Sequence, residues 1–100
     1  MNEIVYQSDG IAVERLYGPV YLVRGYAEGS EFPSKYESVM TGVVRGYLAT
    51  FKGLLHEKNG MAITIKQARA VDTFLKSLGC RKLVYERVKD GVVINVTRRL

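Results

Sequence analysis

Two apolar runs, Leu83 to Val88 and Val92 to Val96, flank the dipeptide Asp90-Gly91, and no other short feature of this chain restricts its conformation as strongly. A two-residue loop of this kind places both central residues at positive φ, which Asp and Gly tolerate, and its twist matches that of the flanking strands. The segment is expected to close as an antiparallel hairpin. Just upstream, Ala70, Val71, Phe74, Leu75 and Leu78 recur at three- and four-residue steps, the pattern of an amphipathic helix over Lys66 to Leu78. Gly79 stands where such a helix ends in the left-handed region.

The N-terminal third reads as three strands, Ile4 to Gln7, Ile11 to Tyr17 and Val20 to Tyr26, separated by Asp9-Gly10 and Gly18-Pro19. An antiparallel meander follows, with Tyr21, Val23 and Gly25 on one face of the third strand and Val20, Leu22, Arg24 and Tyr26 on the other. After a loop from Ala27 to Pro33, Ser34-Lys35-Tyr36-Glu37 has the spacing of a helix capping box. The residues Met40, Val43, Val44, Tyr47, Leu48, Phe51, Leu54 and Leu55 then predict a long helix with one apolar stripe. Asn59-Gly60 ends it, and Met61 to Ile65 suits a short buried strand.

The order βββ-α-β-α-ββ is that of an α/β (α+β) fold in which an N-terminal antiparallel meander precedes α-β-α-ββ with two main helices. A right-handed crossover through the long helix would set Met61 to Ile65 parallel to Val20 to Tyr26. At 100 residues the chain suits a single domain, 1–100, and 47% apolar with 25% charged residues is an ordinary globular composition.

Cysteine usage and charge bound the function further. With Cys80 alone, neither an intramolecular disulfide nor a cysteine zinc cage can form, and a reducing, cytoplasmic setting is expected. With one histidine, His56, a metal site would have to be mostly carboxylate, so none is expected. Met1-Asn2-Glu3 does not open a basic and then apolar leader, and no run reaches the length of a membrane span. The net charge of +5 leaves an anionic partner open. Because the lysines and arginines are dispersed along the chain, however, a generally solvated basic surface is expected and nucleic acid is disfavoured.

The stretch "ITIKQARAVDTFLKSLGCRKLVYERVKDGVVINVT", together with the order of elements, resembles the GNAT family of N-acetyltransferases without its N-terminal strand and helices. In that family a strand leads to an Asn-x-x-Ala-x-x-x-Tyr-x-x-x-Gly-Phe helix and then a hairpin. Matching Gly79 to the family glycine puts Cys80, Leu75, Val71 and Ala68 at its Phe, Tyr, Ala and Asn positions. The pairing of "FLKSLG" with "YERVKDG" is similar to small GNAT-like internal virion proteins of tailed podophages.

The resemblance implies acetyl-CoA held by an Arg/Gln-x-x-Gly-x-Gly/Ala loop at the N-terminus of the long helix, where free N–H groups meet the pyrophosphate. This chain has Ala27 to Ser34 there, with Glu28, Glu31 and Glu37 nearby. The nearest substitutes for cofactor binding are Arg45 and Gly46, although Leu48 occupies the position of a required glycine. The family's general acid is a tyrosine at the position of Leu75, which leaves Tyr85 and Tyr47 as the candidate catalytic residues if the chain is an enzyme. His56 and Glu57 are neighbours that a helix would point apart.

On the predicted long helix, Gly42, Gly46, Ala49 and Gly53 line one strip, edged by Arg45, Lys52 and His56. Each interior glycine weakens a helix by roughly 0.5–1 kcal/mol, so the strip suggests either close approach of another backbone, from a partner protein or a second copy, or weak helicity tolerated on an exposed surface. The leading expectation is a non-catalytic GNAT-like protein acting in protein interaction or as a virion-associated phage component. The alternative is a small acetyl-CoA-dependent N-acetyltransferase with an atypical cofactor loop.

Overall fold

The computed structural model describes residues 3–30, 32, 38–56 and 64–100. They form one mostly antiparallel sheet of seven strands with one helix, an α+β arrangement. The strands are β1 (Glu3–Ser8), β2 (Ile11–Tyr17), β3 (Val20–Gly25), β4 (Ser38–Arg45), β5 (Leu48–His56), β6 (Lys82–Lys89) and β7 (Val92–Arg99), with α1 (Ile65–Ser77) between β5 and β6. They lie in the sheet in chain order, and only the β5–β6 pair, the one joined through α1, is parallel.

The elements read from turn chemistry hold. Asp9 and Gly10 carry φ of 49° and 84°, Asp90 and Gly91 52° and 76°, so both dipeptides make the two-residue loops their residue types favour. The faces of β3 are as expected from Val20 to Gly25, with Tyr21, Val23 and Gly25 buried and Val20, Leu22 and Arg24 half-buried, whereas Tyr26 lies beyond the strand and is buried. Helix α1 spans Ile65–Ser77, and Gly79 follows its C-cap with φ of 88°.

The middle of the chain departs from expectation. In place of the long helix, Ser38–Arg45 and Leu48–His56 form a hairpin around Gly46-Tyr47, so the described residues hold one helix rather than two. Gly46 has φ of 62°, the backbone that the first position of such a loop requires. Ser38, Met40 and Gly42 are buried on alternate positions, as are Ala49 and Phe51, which is a strand period of two rather than a helical one.

Gly42 itself is fixed by packing, because a Cβ there would meet the Phe51 ring at 2.6 Å. Hence Gly42 and Gly46, which would weaken a helix, each suit the hairpin. The GNAT-like order α-β-α-ββ is accordingly not found. The Ser34 capping box and the Met61 to Ile63 portion of the expected strand lie outside the described residues. Thr64 caps α1 and Ile65 begins it, so neither extends a strand. The expected parallel pairing with β3 has no vacant edge, since β3 is flanked on both sides by antiparallel strands, β2 and β4.

The core lies between α1 and one face of the sheet. Ala70, Val71, Phe74 and Leu75 pack with Ile11, Val13, Tyr21, Val23, Phe51 and Leu83, and Phe74 sets its ring against Tyr6 and Tyr21 at 5.2 and 5.6 Å. The sequence supplies a true capping box at Thr64 and Gln67. The Gln67 amide also reaches the sheet, donating Nε2 to the carbonyls of Gly10 at 3.0 Å and Tyr26 at 2.8 Å. Its Oε1 accepts from the Thr64 N–H at 2.9 Å, so one buried side chain fixes both the start of the helix and its seat on the sheet.

Candidate functional site

Because adjacent antiparallel strands reverse direction, the connections divide between two ends of the sheet. The Gly18-Pro19 and Gly46-Tyr47 loops, the C-terminus of α1, the start of β6 and the end of β7 share one end. Backbone bonds tie these pieces together: the N–H groups of Arg81 and Lys82 donate to the Tyr47 carbonyl at 2.7 and 3.1 Å, and that of Leu100 donates to Arg81 at 2.9 Å. At this end stand the exposed side chains of Arg15, Arg45, Lys76, Arg81, Lys82 and Arg99. Among the described residues the only carboxylate in strand register with them is Glu3, opposite Arg15, whereas Asp9 and Asp90 occupy turns at the other end.

Within this cluster the strand register makes a line. Arg45 is opposite Leu48, Leu48 opposite Lys82, and Lys82 opposite Arg99. Directly opposed residues share a face. Ala49 and Leu83, one position along, are buried under the helix, and Arg98 turns to Asp72 of α1, so the line lies on the open face. With strands about 4.8 Å apart, Arg45 to Arg99 covers about 14 Å.

Lys82 and Arg99 thus oppose each other as like charges, an arrangement unfavourable to the sheet. The ion pairs among the described residues, Arg24–Glu14, Lys66–Asp9 and Arg98–Asp72, engage none of Arg45, Arg81, Lys82 or Arg99. Two aromatic side chains project from the same end: Tyr17 is 71% and Tyr47 65% exposed. Arg15 lies over the Tyr21 ring, 5.8 Å from its centre, on the helix side.

The residues expected to act as a site are distributed differently. Tyr47 and Arg45 fall in the basic end, beside Gly46 in the turn. Tyr85 does not join Tyr47: it is on the helix-bearing face, opposite Phe51, half-buried beside Arg98. There the Asp72 carboxylate, at 2.5 and 2.7 Å, holds the Arg98 guanidinium firmly charged, and the Tyr85 hydroxyl adds to that effect.

Gly42 and Ala49 are buried in the sheet, Lys52 is exposed on the open face, and Gly53 and His56 lie in β5, so they form no helical strip. Nor do Arg45 and Gly46 stand at a helix N-terminus. The first turn of α1 is instead engaged by its own Thr64–Gln67 box, which does not fit the pyrophosphate cradle that acetyl-CoA would need.

Sequence reasoning missed the clustering because Arg45, Arg81, Lys82 and Arg99 are far apart in the chain; the turn signals that unite them were legible, the register was not. Among the described residues no helix is long and apolar enough to cross a membrane, and no group of three or more His, Cys, Asp or Glu could hold a metal. Comparison of the chain with protein-family models, with curated proteins and with solved structures found no match.

Proposed function

We propose that this chain is a non-catalytic binding domain for an extended polyanion, with single-stranded nucleic acid the chemistry that the basic end suits best. The observation that carries this is the open-face line Arg45, Leu48, Lys82, Arg99, in which two cations face each other across strands with no carboxylate between them. A phosphodiester backbone laid along the line would neutralise that repulsion and release its own counterions. The exposed rings of Tyr17 and Tyr47 supply surfaces on which bases can stack, a contact worth about 1–3 kcal/mol per base. A compact anion would be better held by convergent donors than by cations strung in a row. Duplex DNA would call for an element that enters a groove, whereas this end of the sheet presents tight turns.

The test is fluorescence anisotropy with a labelled oligothymidylate at low and rising salt. Affinity should fall log-linearly with salt, with a slope of about −0.7 per phosphate contacted. Replacing both Lys82→Glu and Arg99→Glu should weaken binding at least tenfold, about 1.4 kcal/mol. Absence of binding at low salt, or equal binding by the double variant, would refute the proposal. Preference for a duplex of the same length would remove its single-strand part.

A further inference from the structure

The two edges of the sheet differ in a way that the basic end does not explain. At β1 the pairing with β2 shifts register between Ile4 and Tyr6, and Tyr6 is drawn under Phe74 of α1. Register shifts and covering elements are ordinary means of blunting an edge against further pairing. Among the described residues the β7 edge has neither. Its eight residues pair with β6 without interruption from Lys82↔Arg99 to Lys89↔Val92, and its outer side faces no further strand of the described residues. Val92, Val93 and Ile94 are 60%, 59% and 38% exposed, on both faces of that edge. A regular, β-branched strand with free backbone donors and acceptors is a template for one more strand.

We infer that β7 pairs antiparallel with β7 of a second copy of this chain. The direction and the occupant follow from the charges at its two ends. Asp90, exposed in the turn that opens the strand, is an acid, and Arg99, exposed at its close, is a base. Antiparallel self-pairing brings each acid toward the other copy's base, while a parallel arrangement stacks like on like.

A two-fold axis normal to the sheet keeps both helices on one side, so it must pass through a residue opposite its own copy. Centred on Asn95, it sets Ile94 against Val96 and Val93 against Thr97 of the second copy. Arg99 then lies beside the Asp90-Gly91 turn. The apolar side chains now exposed at the edge become neighbours across the new pair.

The experiment is sedimentation velocity and light scattering of the purified chain without nucleic acid, across a concentration series, beside Ile94→Lys, Val93→Lys and Asp90→Asn. Because Val93 and Ile94 are exposed, both lysine variants should keep the circular dichroism spectrum of the wild type. The wild-type mass should rise from 11.2 kDa toward twice that value with concentration. Either lysine should raise the dissociation constant at least tenfold, and Asp90→Asn should raise it a few-fold, with a weaker response to salt. A wild type that stays monomeric throughout, or association unaffected by both lysine variants, would overturn the inference. Capture of an unrelated extended peptide by a monomeric wild type would assign the edge to a foreign strand instead.

Discussion

The two ends of the sheet treat polar groups in opposite ways. At the end where α1 begins, Gln67 satisfies Gly10, Tyr26 and Thr64 at once, and Lys66 stands 3.7 Å from Asp9. At the end where α1 stops, Arg45, Arg81, Lys82 and Arg99 are exposed and joined by no ion pair among the described residues. The first end uses polarity to specify how the helix seats. The second holds cations that no described carboxylate pairs with, and it is there that the proposed polyanion would lie. Substitutions of these polar and charged side chains should therefore separate, with stability responding to those at the first end and affinity to those at the second.

The largest effect should come from Gln67→Leu, which keeps much of the side-chain volume and deletes every hydrogen bond of the amide. The Tyr26 carbonyl and the Thr64 N–H would lose the amide as a partner, while the Gly10 carbonyl would keep the Tyr26 N–H at 2.8 Å, and each buried group left unpaired costs about 1–3 kcal/mol. A total near 3 kcal/mol or more is expected by urea denaturation, with oligothymidylate affinity of the folded protein unchanged. A stable variant with weakened binding would mean that the two ends are not independent.

Second is Gly46→Leu, in the turn between the strands that position Arg45 and Leu48. On the helix expected from the apolar stripe, leucine would strengthen the segment, since it is the better helix former. In the hairpin it must adopt φ near 62°, a strained backbone for a side-chain-bearing residue, at a cost of about 1–3 kcal/mol. Thermal unfolding distinguishes the two by sign.

That contrast shows what was readable in the sequence and what was not. The meander, α1 and the closing hairpin were legible because Asp-Gly and Gly-Pro loops and the Gly79 cap act locally. The β4–β5 hairpin was not, because its apolar residues satisfy a helical spacing as well as an alternating one. The contrary signals were Gly42, Gly46 and Gly53, with Val39, Val43, Val44 and Thr50, all poor helix residues and several good strand residues. The Thr64–Gln67 box was equally readable and was obscured by assigning Thr64 to a strand. The basic line depends on a parallel β5–β6 register set by tertiary packing, so no local pattern announces it.

A smaller effect belongs to Cys80, buried where the chain turns from α1 into β6. Burial raises its thiol pKa above the ordinary value of 9.0 because the thiolate is poorly solvated there. The folded state thus holds the proton more tightly than the unfolded chain. The resulting stability is fully present below pH 9 and is lost as pH rises through the raised value. Denaturation from about pH 7 to 10 should show this decline, and Cys80→Ala should flatten it while leaving affinity at neutral pH unaltered. The same burial should make the native thiol slow to react with Ellman's reagent.

The smallest change in stability should be the most informative. Lys82 is directly opposite Arg99 on the open face, next to Leu48 and in line with Arg45. Replacing Lys82 with glutamate converts a like-charge cross-strand pair into an opposite-charge pair without touching the core, since Lys82 is exposed. Opposite-charge pairs contribute roughly 0.2–1 kcal/mol, and like charges act in the other direction. The variant should accordingly unfold at the same or slightly higher urea concentration than wild type, a gain of a few tenths of a kcal/mol that fades with salt.

Oligothymidylate affinity should fall severalfold in the same protein, because a carboxylate now sits in the path of the phosphates. A line of cations kept only by chance would show the stability gain with no change in affinity. A line that serves the fold would show a stability loss. Only a surface shaped for an external anion should gain stability and lose binding through one substitution.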